Sequence, residues 1–364
     1  LQIKEITDFL EQFAPLSLQE KYDNCGLLTG NSLMVVNKVL ITLDTTEKVI
    51  DEAIEIGANL IISHHPIIFN GLKQINGKNY IERTIIKAIK NDIAIYAIHT
   101  NLDNVELGVN QKICEKLDLI NTKILENKHD VLSKLVTFVP IESVEKVRNA
   151  IFDSGAGHIG NYDCCSFNID GNGSFRALEK SNPYVGKIGE THFENEIRIE
   201  TIFPKYNTSK VIKALLNSHP YEEVAYDIYS LENTMDSIGA GMIGELKNEM
   251  NDIDFLKFLK NAFNLEILKH SPFINKKIKK VAVCGGSGSF LLYKAKQEKA
   301  DVFITGDIKY HQFFDAENQI IIIDIGHYES EIFTKNLIYD LLTKKFPKFA
   351  LHFSNINTNP IKYF

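Results

Sequence analysis

Short, continuously apolar runs recur near both ends of the chain, each followed by a stretch of helical periodicity. "KVLITLD" (38–44), "ANLIIS" (58–63) and "IAIYAI" (93–98) read as buried strands. "TEKVIDEAIEIG" (46–57), closed by Gly57, and "IERTIIKAIKN" (81–91) read as helices. The style returns after residue 240. "KVAVCG", "DVFIT" and "QIIIID" predict strands, and "FLLYKAKQEK" (290–299) and "YESEIFTKNLIYDLLTKKF" (328–346) predict helices. Fully apolar strands alternating with helices predict a largely parallel sheet covered on both faces. At the start, Ile3, Ile6, Phe9, Leu10 and Phe13 share one face of an amphipathic helix.

The middle of the chain follows another pattern. "LVTFVPIESVEKVRNAIFDS" (135–154) aligns without gaps on "IETIFPKYNTSKVIKALLNS" (199–218). Further on, Tyr162–Asp163 falls on Tyr226–Asp227. Each copy reads as strand, proline-started helix, strand, and two copies give βαββαβ, a ferredoxin-like arrangement. The predicted fold class is therefore α/β. A discontinuous domain, residues 1–128 and 235–364, is interrupted by a ferredoxin-like domain at 129–234.

Four polar clusters each follow a strand: His64–His65–Pro66, "HTNLD" (99–103), "GDIKYH" (306–311) and "IGHYESE" (325–331). Ligands gather beyond the carboxyl ends of parallel strands, so these clusters are placed to form a site. Pro66 biases His65 toward extended backbone, which makes the adjacent imidazoles diverge toward two neighbouring ions. His327 and Glu331, four apart, share a helix face. Singly, each cluster also fits an ordinary polar turn. Together His64, His65, Asp103, His327 and Glu331 form a nitrogen/oxygen ligand set without cysteine, suited to Zn, Mn, Fe or Co rather than to a structural zinc. Five ligands overfill one four-coordinate ion and fit two, bridged by a carboxylate and a solvent molecule. Glu331, holding that solvent, and His99, a candidate proton shuttle, are the expected catalytic residues. Asp44 at the pocket rim, Asp307 and His311 of "GDIKYH", and Gly286 and Ser287 of the glycine-rich "GGSGS" (285–289) are candidate substrate contacts. Glycine-freed amides can hold phosphate, although this turn matches neither nucleotide-binding glycine motif.

Composition narrows the function classes. The 364 residues are 44% apolar, enough for more than one core. The net charge of −7 gives no basic surplus for direct nucleic-acid binding. Five cysteines, an odd number without Cys-x-x-Cys spacing, fit a reduced, cytoplasmic protein. No run approaches the roughly 18 apolar residues of a membrane helix, and no membrane partner is expected.

"SHHPIIF", "HTNLD", "TGDIKYH" and "GHYESE" resemble, in order and context, the NGG-interacting-factor-like (Nif3-like) proteins, also labelled homologues of a type 2 GTP cyclohydrolase I. "EKYDNCGLLTG" (20–30) resembles the family's N-terminal signature. "GAGHIGNYDCCSF" (155–167) and "HPYEEVAYDIY" (219–229) resemble the PII/CutA-like insert of its long bacterial members. The resemblance implies two divalent metal ions, Zn first, with Fe, Mn or Co as alternatives. It implies that His65 and Asp103 hold one ion, His64 and His327 the other, and that Glu331 bridges them. It also implies a ring-shaped homohexamer, and a metal-dependent hydrolase opening the imidazole ring of GTP, a nucleotide substrate. The alternative is a non-enzymatic metal-binding regulator or scaffold.

Overall fold

A computed structural model describes residues 1–363. They form two compact units, one made of residues 1–127 with the described residues from 236 onward and the other of residues 128–235. Among the described residues no helix is long and apolar enough to cross a membrane.

The discontinuous unit contains two mixed sheets rather than the single, largely parallel one expected. In the first, Leu351–Phe353, Val39–Thr42, Leu60–Ser63 and Ala94–Ala97 run parallel, and Gly26–Thr29 pairs antiparallel with the last. In the second, Ile278–Ser287, Val302–Gly306 and Ile321–Asp324 are parallel. Antiparallel neighbours extend that sheet on both sides: Lys269–His270 on one, Gly239–Met250 followed by Ile120–Asn127 on the other. The four polar clusters follow adjacent parallel strands, two in each sheet: Leu60–Ser63 and Ala94–Ala97 in the first, Val302–Gly306 and Ile321–Asp324 in the second.

Local chemistry explains the helices. Thr46 caps Glu47–Ile56 by accepting from the Val49 amide, and Gly57 ends it at a φ of 72° that glycine adopts without strain. Asn79 caps Tyr80–Lys90 through the Glu82 amide. Ile3, Ile6 and Leu10 bury the predicted face of the first helix. Two helical expectations need correction. "FLLYKAKQEK" is a 3-10 turn, Ser289–Leu291, followed by a short helix, Leu292–Gln297. The run 328–346 is two helices, His327–Glu331 and Thr334–Lys345. The break lets the first, short helix serve the site while the second buries Leu337, Ile338 and Leu342.

The other unit has the element order strand, helix, strand, strand, helix, strand. Its antiparallel sheet runs Phe167–Arg176, Thr191–Pro204, Leu132–Pro140, Tyr226–Leu231. Helices Val144–Asp153 and Thr208–Ser218 pack Val147, Ile151, Val211 and Leu215 onto Leu135, Val139, Ile199 and Phe203 of the sheet. The repeat holds through strand and helix and then fails. Tyr226 begins a strand, whereas Tyr162 lies in a turn and the corresponding strand starts at Phe167.

Candidate metal centre

The site is built where strands end. Beyond the first sheet, Thr42 Oγ1 donates to the Asp44 carbonyl and Ser63 Oγ to the His65 carbonyl. Each hydroxyl ties down the turn that follows its own strand, which aims Asp44 and His65 out of the sheet. His99 follows the next strand and opens the short helix Thr100–Asp103. Asn101 and Asn104 anchor that helix by donating to the carbonyls of Ala14 and Leu18. Beyond the second sheet, Gly326, at φ 91°, turns the chain into the helix carrying His327 and Glu331.

All five expected ligands converge, from sequence positions more than 260 residues apart. Three trios have ligand atoms within 4.8 Å of one another, and two of them contain carboxylates: His64, Asp103 and Glu331, and His65, His327 and Glu331; the third is His64, His65 and His99. In the structure His64 lies beside Asp103 and His65 beside His327, a grouping different from the pairing the family resemblance implies. The two sheets face each other across the site, so each histidine of the adjacent pair meets a different neighbour. Glu331 is 2% exposed and belongs to both carboxylate-containing trios. Its Oε1 lies 3.8 Å from His64 Nε2, and its Oε2 lies 3.0 Å from both His65 Nε2 and His327 Nε2.

Hydrogen bonding tests whether these residues fit a cation. His64 Nδ1 faces the Ile98 carbonyl at 2.8 Å and must donate to it, so a neutral ring presents a lone pair at Nε2. That buried Nε2 has no hydrogen-bond partner, nor has Asp103 Oδ1, which lies 3.7 Å away. His65 Nδ1 donates to Asp44 and His327 Nδ1 to Asp307, both at 2.7 Å. Their Nε2 atoms are then acceptors too, 3.3 Å apart and facing Glu331. Acceptors facing acceptors need a positive charge between them, a proton or a metal ion. Ligand atoms placed tetrahedrally about 2.0–2.2 Å from one ion lie roughly 3.3–3.6 Å from each other, close to the spacings found here. Carboxylates behind two of the three imidazoles fix the tautomer and add basicity.

The ionisable groups report the same field. Burial opposes protonation of His65 and His327, yet hydrogen bonds to Asp44 and Glu331 raise the first to about 9, and those to Asp307 and Glu331 raise the second to about 11. Burial likewise opposes ionisation of Glu331, but the imidazoles of His327, His64 and His65 around it hold it well below the ordinary carboxylate range. Burial pushes Asp103 up, with His64 opposing and Glu331 adding to the rise. The carboxylates that make these imidazoles hold protons would hold a divalent cation in their place. Asp44→Asn is expected to weaken metal binding about 10–100-fold, the usual effect of removing such a supporting carboxylate. Titration with a metal indicator measures it; unchanged affinity would detach Asp44 from the site.

The remaining expected residues divide. His99 lines the cavity, and its ring approaches His64 and His65 at 5.1 and 5.2 Å between centroids. Its Nδ1 is 2.9 Å from Asp23 Oδ1, a carboxylate that the sequence reading left without a role. Asp23 also accepts from Thr100 and Cys25. Although its burial acts the other way, these bonds keep it far below the ordinary carboxylate range. Ser287 and Asp307 line the cavity, whereas His311 is exposed beside Tyr310 and Phe314 and does not. The three glycine amides of this turn are not free for a ligand. Those of Gly285, Gly286 and Gly288 donate to Asn110, Ser330 and Thr305. Gly286 instead makes room: a side chain there would meet Glu331 Oε1. The chain end was also unforeseen. Thr358 donates to Asp44 Oδ2 at 2.6 Å, and Asn359 donates to Glu329.

Fold and site together define a mixed α/β protein with two adjoining candidate metal subsites that share one buried carboxylate. The family model described as Duf34/NIF3 (NGG1p interacting factor 3) matches residues 1–360, and the chain belongs to that family. A Bacillus subtilis relative named "GTP cyclohydrolase 1 type 2 homolog" is 41% identical over 99% of this chain and 98% of its own length. The crystal structure of a Bacillus cereus protein related to NIF3 is 40% identical, with a TM-score of 0.86 covering 100% of this chain and 99% of that one. A Staphylococcus aureus protein of known structure is 33% identical, with a TM-score of 0.79 and the same coverage.

Proposed function

We propose that the protein binds two divalent metal ions, zinc first among them, and uses them to hydrolyse a carbon–nitrogen bond in a heterocyclic ring. The observation that carries this reading is the pair of trios sharing Glu331, with the buried, unpartnered Nε2 of His64 and Oδ1 of Asp103. His64 and Asp103 would hold one ion, His65 and His327 the other, and Glu331 both. Bound there, the ions would polarise a substrate and make water a nucleophile near neutral pH. Asp44 and Asp307 keep the Nε2 atoms of His65 and His327 free to bind. Asp23 holds His99 Nδ1 at 2.9 Å, and the other ring nitrogen of His99 would pass a proton between solvent and the departing ring nitrogen. Attack on the imidazole ring of a guanine compound, the reaction class suggested by the names of the relatives, is the form to test first. Water adds to the carbon between the two ring nitrogens, the carbon–nitrogen bond opens, and a second water releases formate.

The inserted unit is proposed to be a ferredoxin-like domain of PII/CutA type, a reading its strand order supports. The ring-shaped homohexamer and the cytoplasmic location implied by the family resemblance and the cysteine content belong to the same proposal. Formate release from guanine compounds by protein loaded with Zn, Mn or Fe is the direct test. Release is expected to need metal and to vanish in His65→Ala. No formate, and no hydrolysis of any heterocycle in a broad panel, by protein carrying two ions would favour the regulator or scaffold instead.

A further inference from the structure

The cavity over the metal centre carries a charge pattern that the relatives' names do not anticipate. It encloses about 530 Å³, and among the described residues lining it there is no lysine or arginine. Five carboxylates line it: Glu20, Asp44, Asp103, Asp307 and Glu331. Two divalent cations would bring four positive charges, so the loaded cavity has no positive surplus. A nucleoside triphosphate carries about four negative charges at neutral pH, and phosphate sites ordinarily meet them with Arg, Lys or free backbone amides. Here the amides of Gly285, Gly286 and Gly288 are already bonded within the protein.

The walls have a different character. Tyr22, Phe69, Phe290 and Tyr328 line the cavity with aromatic surface. Tyr22 and Phe69 lie 6.0 Å apart between ring centroids, and Phe69 lies 6.2 Å from His99. Phe69 is 41% exposed and Phe290 63%, large apolar rings left facing solvent beside a polar centre. Exposed aromatic faces beside convergent polar groups suit a flat ring that stacks while its heteroatoms reach inward.

We infer that the substrate is an uncharged planar heterocycle, a nucleobase, nucleoside or similar cyclic amide or amidine, and not a nucleoside polyphosphate. This rests on the dinuclear hydrolase reading and narrows it. The heterocycle occupies the aromatic-walled cavity with a ring carbon toward the metal centre. One water is consumed at each bond cleaved: its oxygen goes to the ring carbon and its proton to the departing nitrogen, with no redox step.

The test is equilibrium dialysis of full-length, metal-loaded protein against guanosine, GTP, adenosine, ATP, uracil, dihydrouracil and inorganic tripolyphosphate, with metal content measured afterwards. At least one uncharged ring is expected to bind ten times or more tighter than any triphosphate. Phe69→Ala is expected to weaken that ring about tenfold, the contribution of one stacking face, while leaving metal content unchanged. Metal stripped into the triphosphate solutions without retained nucleotide also fits, because it is chelation and not recognition. Tighter binding of GTP than of guanosine, or of tripolyphosphate than of every ring, would overturn the inference. So would binding of none of them. In each of these cases metal-dependent formate release, measured separately, decides whether the hydrolase reading survives.

Discussion

Glu331→Gln is expected to reduce bound metal from two ions per chain to nearly none while leaving the fold intact. Glu331 is the one residue common to both carboxylate-containing trios, so its charge acts on both subsites at once. Glutamine keeps the size and shape, and its amide group can donate to the Nε2 atoms of His65 and His327, which face Glu331 Oε2 at 3.0 Å. The Nε2 atoms of His65 and His327 therefore stay satisfied without a cation. Replacing a metal ligand should cost more than the roughly 10–100-fold typical of its supporting groups. In chelator, where the native protein is metal-free as well, unfolding free energies should agree within about 1 kcal/mol, the scale of one exchanged hydrogen bond. His64→Ala should behave differently, losing one equivalent and keeping the other. Elemental analysis of the two variants separates these outcomes. Equal, partial loss in both would mean that the subsites do not share Glu331.

Gly286→Ala is expected to damage metal binding without touching a ligand. Gly286 sits at φ 60°, and a Cβ built there meets Glu331 Oε1, with Glu331 Cδ at 3.1 Å and His327 Cε1 at 3.3 Å. The methyl must push the bridging carboxylate from its place. The backbone adds a strain of about 1–2 kcal/mol, since L-residues resist the left-handed region. Gly57→Ala is the control. Gly57 has a similar φ, 72°, but open space around its Cβ position, so it carries the strain without the collision. Metal affinity should fall about 10–100-fold in the Gly286 variant, the effect of displacing a ligand through its surroundings, and stay unchanged in the Gly57 variant. Equal behaviour in both would remove Gly286 from the architecture of the site.

The cluster of His64, His65, Asp103, His327 and Glu331 was legible because each belongs to a local signal: an apolar run that names the strand, then a polar cluster at its end. His64–His65–Pro66 and the His327–Glu331 spacing are patterns of a few residues, and strand ends need no knowledge of which strand lies beside which. The pairing of ligands was not legible. Whether His65 meets Asp103 or His327 depends on how two sheets face each other, which periodicity does not encode. Asp23 and Thr358 were invisible for the same reason. Their partners, His99 and Asp44, lie 76 and 314 residues away. The strand Gly239–Met250 was missed for a different reason. Its Gly239, Gly241 and Gly244 lower any strand propensity, yet side chains there would run into Glu126, Leu291 and Thr122. Without that strand the antiparallel side of the second sheet, which continues to Ile120–Asn127, cannot be recognised. The inserted unit was easier to read because its repeat announces itself in sequence. Only the Tyr162 turn departs from it, where one copy leaves the strand that the other keeps.

The most direct measurement is anomalous diffraction from crystals of the untagged protein, recorded at the absorption edge of the metal it carries. Two ions about 3.5–4 Å apart are expected, one held by His64 and Asp103, the other by His65 and His327, with Glu331 bound to both. A single ion, or two ions that do not share Glu331, would contradict a dinuclear centre built on that carboxylate.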